Sequence, residues 1–158
     1  MRRFIILSAV AIGIFSAPAL ASAAKLTVSP STGAFAVGGT FSVSIFLDTE
    51  ERPVNTLDVI LQFPPEKLQV ISPAIGQSVI GVWTAQPYAN NATGEIRFQG
   101  GIPGGINVSK GLVSTITFRV RQTGSGIIRF GSDSRVLAHD GRGTNVLGDA
   151  QSGVYSLT

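Results

Sequence analysis

The strongest constraint on this chain is the alternation of apolar and polar residues along several short segments. Phe41, Val43, Ile45 and Leu47 are each separated by one residue, and two of the three intervening residues are serine. Because successive side chains of a β-strand point to opposite faces, a period of two predicts a strand with one buried face. No segment carries an apolar period of about 3.6 residues beyond one helical turn. The pattern therefore predicts an all-β protein.

The same alternation assigns an inner and an outer face to three further segments. The residues expected to point inward are Leu57, Val59, Leu61, Phe63, Ile96, Phe98, Leu112, Ile116, Phe118 and Val120. The residues expected to point outward are Thr56, Asp58, Ile60, Gln62, Arg97, Gln99 and Val113. Such half-polar strands are typical of antiparallel sheets with one buried and one solvated face.

Glycine and proline separate the predicted strands. Gly38 and Gly39 precede one strand, Pro64 and Pro65 follow another, and positions 124–126 read Gly-Ser-Gly between two apolar runs. These residue types mark turns because of the backbone conformations that they favour. Many short strands at near-regular spacing predict an antiparallel sandwich or barrel.

The first residues have the features of a signal peptide. Arg2 and Arg3 precede an apolar run over positions 4–15, and small residues follow up to position 23. This order is typical of exported proteins, and the run is shorter than the about 20 apolar residues that span a bilayer. We predict a signal peptide at 1–23, a single domain at 24–158, no transmembrane anchor after cleavage, and a secreted or cell-surface location.

Charge and cysteine content exclude several functions. Arg2 and Arg3 are among the 12 basic residues, so the predicted mature chain keeps ten against 9 acidic residues. Because the basic residues are scattered along the sequence, they do not indicate the clustered cationic face that nucleic-acid binding requires. The chain has no cysteine, which excludes disulfides, thiol catalysis and thiolate metal sites. We expect no cofactor.

The order of the segments resembles a cohesin domain, the receptor module of cellulosome scaffolds. Positions 37–45 read Val-Gly-Gly-Thr-Phe-Ser-Val-Ser-Ile, and an apolar strand then leads to Phe63-Pro64-Pro65. Later matches are at 94–98, 110–120 and 134–141. The resemblance covers the predicted mature chain and implies a nine-stranded antiparallel jelly-roll β-sandwich. One departure is that Phe63 and Pro64 stand where the family has Tyr and Asp, so partner specificity is not carried over.

The resemblance implies that the chain is an exported, non-catalytic binding module that recognises a dockerin-like protein partner in an extracellular or cell-surface assembly. It places the protein-binding face on the outer side of two strands. The residues assigned to this face are Thr56, Asp58, Ile60, Gln62, Arg97 and Gln99, with Asp58 aligned to a family binding position. Ile60, expected to be exposed among polar residues, suits an interface anchor with a polar rim. An ordinary solvated sheet face is the alternative interpretation.

Carbohydrate binding by the same scaffold, linked to polysaccharide degradation, is the second hypothesis. Trp83 and Tyr88 are the candidates for stacking on a sugar ring, since aromatic faces suit the apolar faces of sugars. A core position for Trp83 is the favoured alternative, because large aromatic side chains dominate protein cores.

Catalytic and metal sites are not indicated. His139 is the only histidine, and its neighbour Asp140 would point to the opposite face of a strand. Oxygen donors in glycine-rich loops could form a structural calcium site. These donors are Asp133, Asp140, Asn145 and Asp149. They lack the spacing of an EF-hand, and Asp and Asn also form turns unaided, so we expect neither a metal site nor enzymatic activity.

Overall fold

A computed structural model of the chain describes residues 23–74 and 76–158, which form twelve strands in two sheets. In chain order, the strands are β1 (Ala24–Ser29), β2 (Thr32–Phe35), β3 (Thr40–Asp48), β4 (Val54–Gln62), β5 (Leu68–Ala74), β6 (Val82–Asn90), β7 (Glu95–Ile106), β8 (Gly111–Val120), β9 (Gly124–Phe130), β10 (Arg135–Ala138), β11 (Leu147–Gln151) and β12 (Gly153–Leu157). The first sheet has the order β11-β1-β3-β8-β5. The second has the order β2-β12-β9-β4-β7-β6, with β10 also paired to β4.

The sandwich prediction is confirmed, with two corrections. The described residues form twelve strands rather than nine. Two of the additional strands arise because the chain changes sheets between β1 and β2 and between β11 and β12: β1 and β11 lie in the first sheet, and β2 and β12 in the second. The sheets are mixed rather than purely antiparallel. β1 pairs in parallel with β11, and β2 pairs in parallel with β12.

Alternating side chains of both sheets fill the space between them. Val43, Ile45 and Leu47 of β3 and Val59 and Leu61 of β4 have no exposed surface. Burying an aliphatic side chain of this size contributes about 1.5–3 kcal/mol relative to leaving it exposed. The alternation along β3 and β4 thus determines which face of each sheet forms the core.

The assignment along β8 was wrong at its beginning. Val113 is fully buried, while Leu112 is only partly buried. The register between β3 and β8 shifts between Ile45 and Phe46. A β-bulge of this kind changes the faces that the following residues occupy, so a strict period of two assigns one side of the irregularity incorrectly.

A row of aromatic rings closes one end of the core. Phe35 stacks on Phe41, Phe41 on Phe118, and Phe63 meets Phe118 edge-on, with ring centroids 4.1–5.7 Å apart. Tyr155 packs against Phe41 with centroids 5.1 Å apart, and its hydroxyl donates to Pro30 O at 2.7 Å. This end of the core therefore joins β12 to the segment between β1 and β2.

Burial raises the pKa of Tyr155 to about 12. Since an unfolded tyrosine ionises near pH 10, the stabilisation from the neutral folded phenol is present below about pH 10 and is lost as the pH rises toward 12. Urea unfolding at stepwise increasing alkaline pH should show this loss in the native protein and a smaller one in Tyr155→Phe. Identical pH dependence in both proteins would contradict the assignment.

The turn between β6 and β7 depends on a glycine. Gly94 has a φ of +72°, and its N–H donates to Asn90 O at 2.9 Å. Gly94 O accepts from the N–H of Phe63 at 2.8 Å, so the turn also holds the end of β4. A Cβ added at Gly94 would lie 2.1 Å from Phe63 O and 2.7 Å from Pro65 Cδ. The turn therefore has no room for any other residue.

Two of the outer strands contain proline. β5 ends the first sheet and includes Pro73, and β6 ends the second and includes Pro87. Because proline has no backbone N–H, it removes a donor from a strand and is tolerated mainly at sheet edges. Both prolines therefore lie where a missing donor costs the sheet least.

The predicted signal peptide lies outside the described residues except for its last residue, Ala23. In the ranges that the structure describes, no helix is long and apolar enough to cross a membrane.

Candidate functional site

The outer face of β4 and β7 brings together most of the residues assigned to protein binding. Asp58 lies opposite Gln99, and Ile60 lies opposite Arg97. Arg97 and Gln99 are exposed, and Thr56, Asp58 and Gln62 are half-buried. We call these five polar side chains the β4–β7 face. The buried Leu57, Val59, Leu61, Ile96 and Phe98 on the reverse side fix its orientation.

The β4–β7 face is bordered by charged residues that the sequence interpretation did not include. Arg135 of β10 pairs with Asp58, and Glu95 of β7 pairs with Gln62. Glu95 lies two residues before Arg97 on β7, so the alternation of this strand directs it to the same face. The position of Arg135 depends on the pairing of β10 with β4, which no local sequence pattern indicates.

An ion pair within β7 fixes one part of this surface. Arg97 Nε donates to Glu95 Oε1 at 2.5 Å. This hydrogen bond is the main reason that the pKa of Glu95 falls below its ordinary value and that of Arg97 rises. Both groups therefore stay charged at neutral pH, although such an exposed pair contributes little to stability.

The expectation that Ile60 is exposed was wrong. Its side chain is only 6% exposed, yet it lies opposite the exposed Arg97 and between two core residues of β4, so it points outward. The turn 131–134 covers it. Ser134 Oγ accepts from Ile60 N at 3.1 Å and lies 3.2 Å from Ile60 O, and Gly131 N donates to the same oxygen at 2.7 Å. Alternation gave the direction of Ile60 correctly but could not show the chain segment above it.

The two aromatic candidates for sugar binding do not form one platform. Trp83 is partly buried and meets the core residue Phe98 edge-on, with centroids 6.1 Å apart. Trp83 therefore packs against the core, in the direction that the core interpretation expected, but it is not among the fully buried residues. Tyr88 is 69% exposed and pairs with Arg97, which places it beside the β4–β7 face instead. The arrangement gives no flat aromatic surface from this pair.

His139 and Asp140 do not form a catalytic dyad. The His139 ring nitrogen Nδ1 lies 3.2 Å from Asn55 Nδ2, while Asp140 accepts hydrogen bonds from Arg142 N and Thr144 Oγ1. The hydrogen bond from Thr144 is the main cause of a pKa of Asp140 below its ordinary value.

Two of the other oxygen donors also accept hydrogen bonds from neighbouring protein groups. Asn145 Oδ1 accepts from the N–H groups of Val136 and Leu147, and Asp149 accepts from Gln151. Within the described ranges, no three acidic or histidine side chains are grouped as metal ligands would be.

Comparison with known proteins identifies the class of fold. No protein-family model and no curated protein sequence matches the chain. Solved structures do match the chain. One is a type I cohesin–dockerin complex from Clostridium thermocellum, with a TM-score of 0.69 and 15% identity over 85% of this chain and 93% of the matched chain.

Two further matches have the same character. The sixth cohesin of scaffoldin B from Acetivibrio cellulolyticus, in complex with a dockerin, has a TM-score of 0.68 and 14% identity over 86% of this chain and 99% of that one. A non-cellulosomal cohesin from the archaeon Archaeoglobus fulgidus has a TM-score of 0.67 and 16% identity over 86% and 92%. The chain therefore has the cohesin fold, and the resemblance found in the sequence is confirmed at the level of the fold.

Proposed function

We propose that the chain is an exported, non-catalytic binding module that recognises a dockerin-like protein partner in an extracellular or cell-surface assembly. The carrying observation is the cohesin fold, shared over at least 85% of the chain with cohesins solved in complex with dockerins. The β4–β7 face is the proposed contact surface. Its polar side chains lie on the opposite side of β4 and β7 from the buried core residues, and such polar groups are typical of the rim of a protein interface.

The contact surface can be tested with a pair of cross-strand neighbours. Asp58→Ala combined with Gln99→Ala removes two opposed polar side chains from the β4–β7 face. Against a panel of purified dockerin modules measured by titration calorimetry, we expect at least one to bind the native protein. The double variant should bind that module at least about tenfold more weakly, because interface hot spots contribute about 2 kcal/mol or more each.

The matched control lies on the outer face of the other sheet. Ser42 and Thr117 are also cross-strand neighbours, with their hydroxyl oxygens 2.8 Å apart. Ser42→Ala combined with Thr117→Ala should leave dockerin affinity unchanged. Equal loss in both variants, or no loss in the first, would remove the β4–β7 face from the proposal. Failure of every dockerin to bind would refute the proposed partner.

A further inference from the structure

A pocket of about 310 Å³ lies where β4 ends and β9 begins. Phe63, Pro64 and Ile127 supply apolar surface, and Lys67 and Arg129 supply positive charge. Ile127 is 46% exposed, so its side chain is accessible to a ligand in the pocket. The pocket borders the β4–β7 face at Gln62 but includes none of the other residues of that face.

The pocket exists because the pairing of β9 with β4 stops early. The two strands are paired only at Leu61 with Phe130 and at Gln62 with Arg129. The next residues in this register with their backbone groups facing each other would be Ile127 and Pro64. Since Pro64 has no N–H, it cannot continue the ladder. The chain turns away instead, with Lys67 N and Leu68 N both donating to Pro64 O.

The backbone of β9 faces this gap. Gly131 N donates to Ile60 O, and Ser125 O accepts from Lys67 Nζ at 3.2 Å. Alternate residues of a strand direct their backbone groups to the same side, so Ile127 also directs its N–H and C=O toward the pocket. An extended segment could thus pair with Ile127 as a short additional strand.

The charge at the pocket is unbalanced. Lys67 donates to a backbone carbonyl, and Arg129 Nε donates to Gln62 Oε1 at 3.0 Å, so both cations contact neutral oxygens. Arg121 Nη1 lies close by, 3.4 Å from Pro65 O. Among the described residues that line the pocket there is no carboxylate. Two cationic side chains beside exposed apolar surface are complementary to a ligand that carries both a carboxylate and an apolar group.

We propose that this pocket binds an acidic side chain, with an apolar residue two positions away, in an extended segment of the protein partner. Lys67 and Arg129 contact the carboxylate, the apolar residue two positions away packs on Ile127 and Pro64, and the segment's backbone pairs with Ile127. The inference rests on the proposed function only in assigning the segment to the protein partner. The pocket and its chemistry can be tested without that partner.

The probe is an acetylated, amidated pentapeptide with leucine at positions 1 and 5, aspartate at position 3 and threonine between them, so that leucine and aspartate share one face of an extended chain. It is compared with a peptide in which asparagine replaces aspartate. Nuclear magnetic resonance of the labelled protein should show shifts of the Ser125, Ile127 and Arg129 amides with the acidic peptide. Lys67→Gln combined with Arg129→Gln should raise the apparent Kd about five- to tenfold, since two charge-assisted contacts are lost. A dispersed spectrum shows that the variant is folded.

The control variant removes two cations outside the pocket, Arg52→Gln with Lys110→Gln, and should bind the acidic peptide as the native protein does. The proposal is overturned if both peptides bind equally, if no shift occurs at about 5 mM peptide, or if the shifts lie elsewhere. Concentration-dependent shifts of the same amides without peptide would also overturn it, because a second copy would then occupy the pocket. Dockerin binding that depends on Asp58 and Gln99 but not on Lys67 and Arg129 would retain the proposed function and reject this inference.

Discussion

Replacing Gly94 with alanine should lower the free energy of unfolding by about 2–5 kcal/mol. The positive φ of +72° costs an alanine about 1–2 kcal/mol. The new Cβ would also lie 2.1 Å from Phe63 O, and the resulting shift should add about 1–3 kcal/mol. Urea unfolding followed by circular dichroism measures the change.

Gly38 provides the matched control. It has a similar positive φ of +83°, but a Cβ at this position would meet nothing within 4 Å. Gly38→Ala should therefore show only the conformational cost of about 1–2 kcal/mol. Equal destabilisation by the two substitutions would mean that Gly94 does not pack against the end of β4 as described.

Replacing Leu61 with alanine should lower the free energy of unfolding by about 2–5 kcal/mol, because the side chain is fully buried and its removal leaves a cavity. Asp58→Ala, on the outer side of the same strand, should change it by less than about 0.5 kcal/mol. Thermal unfolding of the two variants compares them directly. A stable Leu61→Ala together with an unstable Asp58→Ala would mean that the two faces of β4 are reversed.

Ile60 distinguishes the structure from the sequence interpretation. As an exposed residue, it could be replaced by alanine without loss of stability. The structure buries its side chain beneath the turn 131–134. Ile60→Ala should therefore lower the free energy of unfolding, as truncation of a buried isoleucine usually does.

The central strands were predictable from the sequence because each buries one face and leaves the other in water. Along β4, the inward assignment of Leu57, Val59 and Leu61 is confirmed residue by residue, as is that of Phe63 just after the strand. β7 shows the same agreement at Ile96 and Phe98. In these strands a single local pattern carries both the secondary structure and the direction of the side chains.

The remaining features depend on contacts distant in sequence. The turn over Ile60 comes from residues more than seventy positions later, and its Ser134 bonds to the backbone of β4. The parallel pairing of the chain ends joins β1 to β11, at opposite ends of the domain's sequence. Neither relation leaves a periodic signal, because each strand's own residues remain compatible with several neighbours.

The candidate site was predictable in its polar residues and not in its surroundings. Alternation identified Asp58, Arg97 and Gln99 as outward-facing, but the pocket beside them arises from Pro64 stopping a ladder with β9. The substitution of proline in the family-like motif was visible in the sequence. Its consequence was not, since that required knowing which strand would have paired with position 64.

The prolines in β5 and β6 also bear on how copies of this domain behave when crowded together. An outer strand with all its donors free can add the strand of another molecule, which is a common start of aggregation. Pro73 and Pro87 interrupt such additions at one edge of each sheet. Copies of this domain held at high local concentration should therefore resist pairing edge to edge at these two strands.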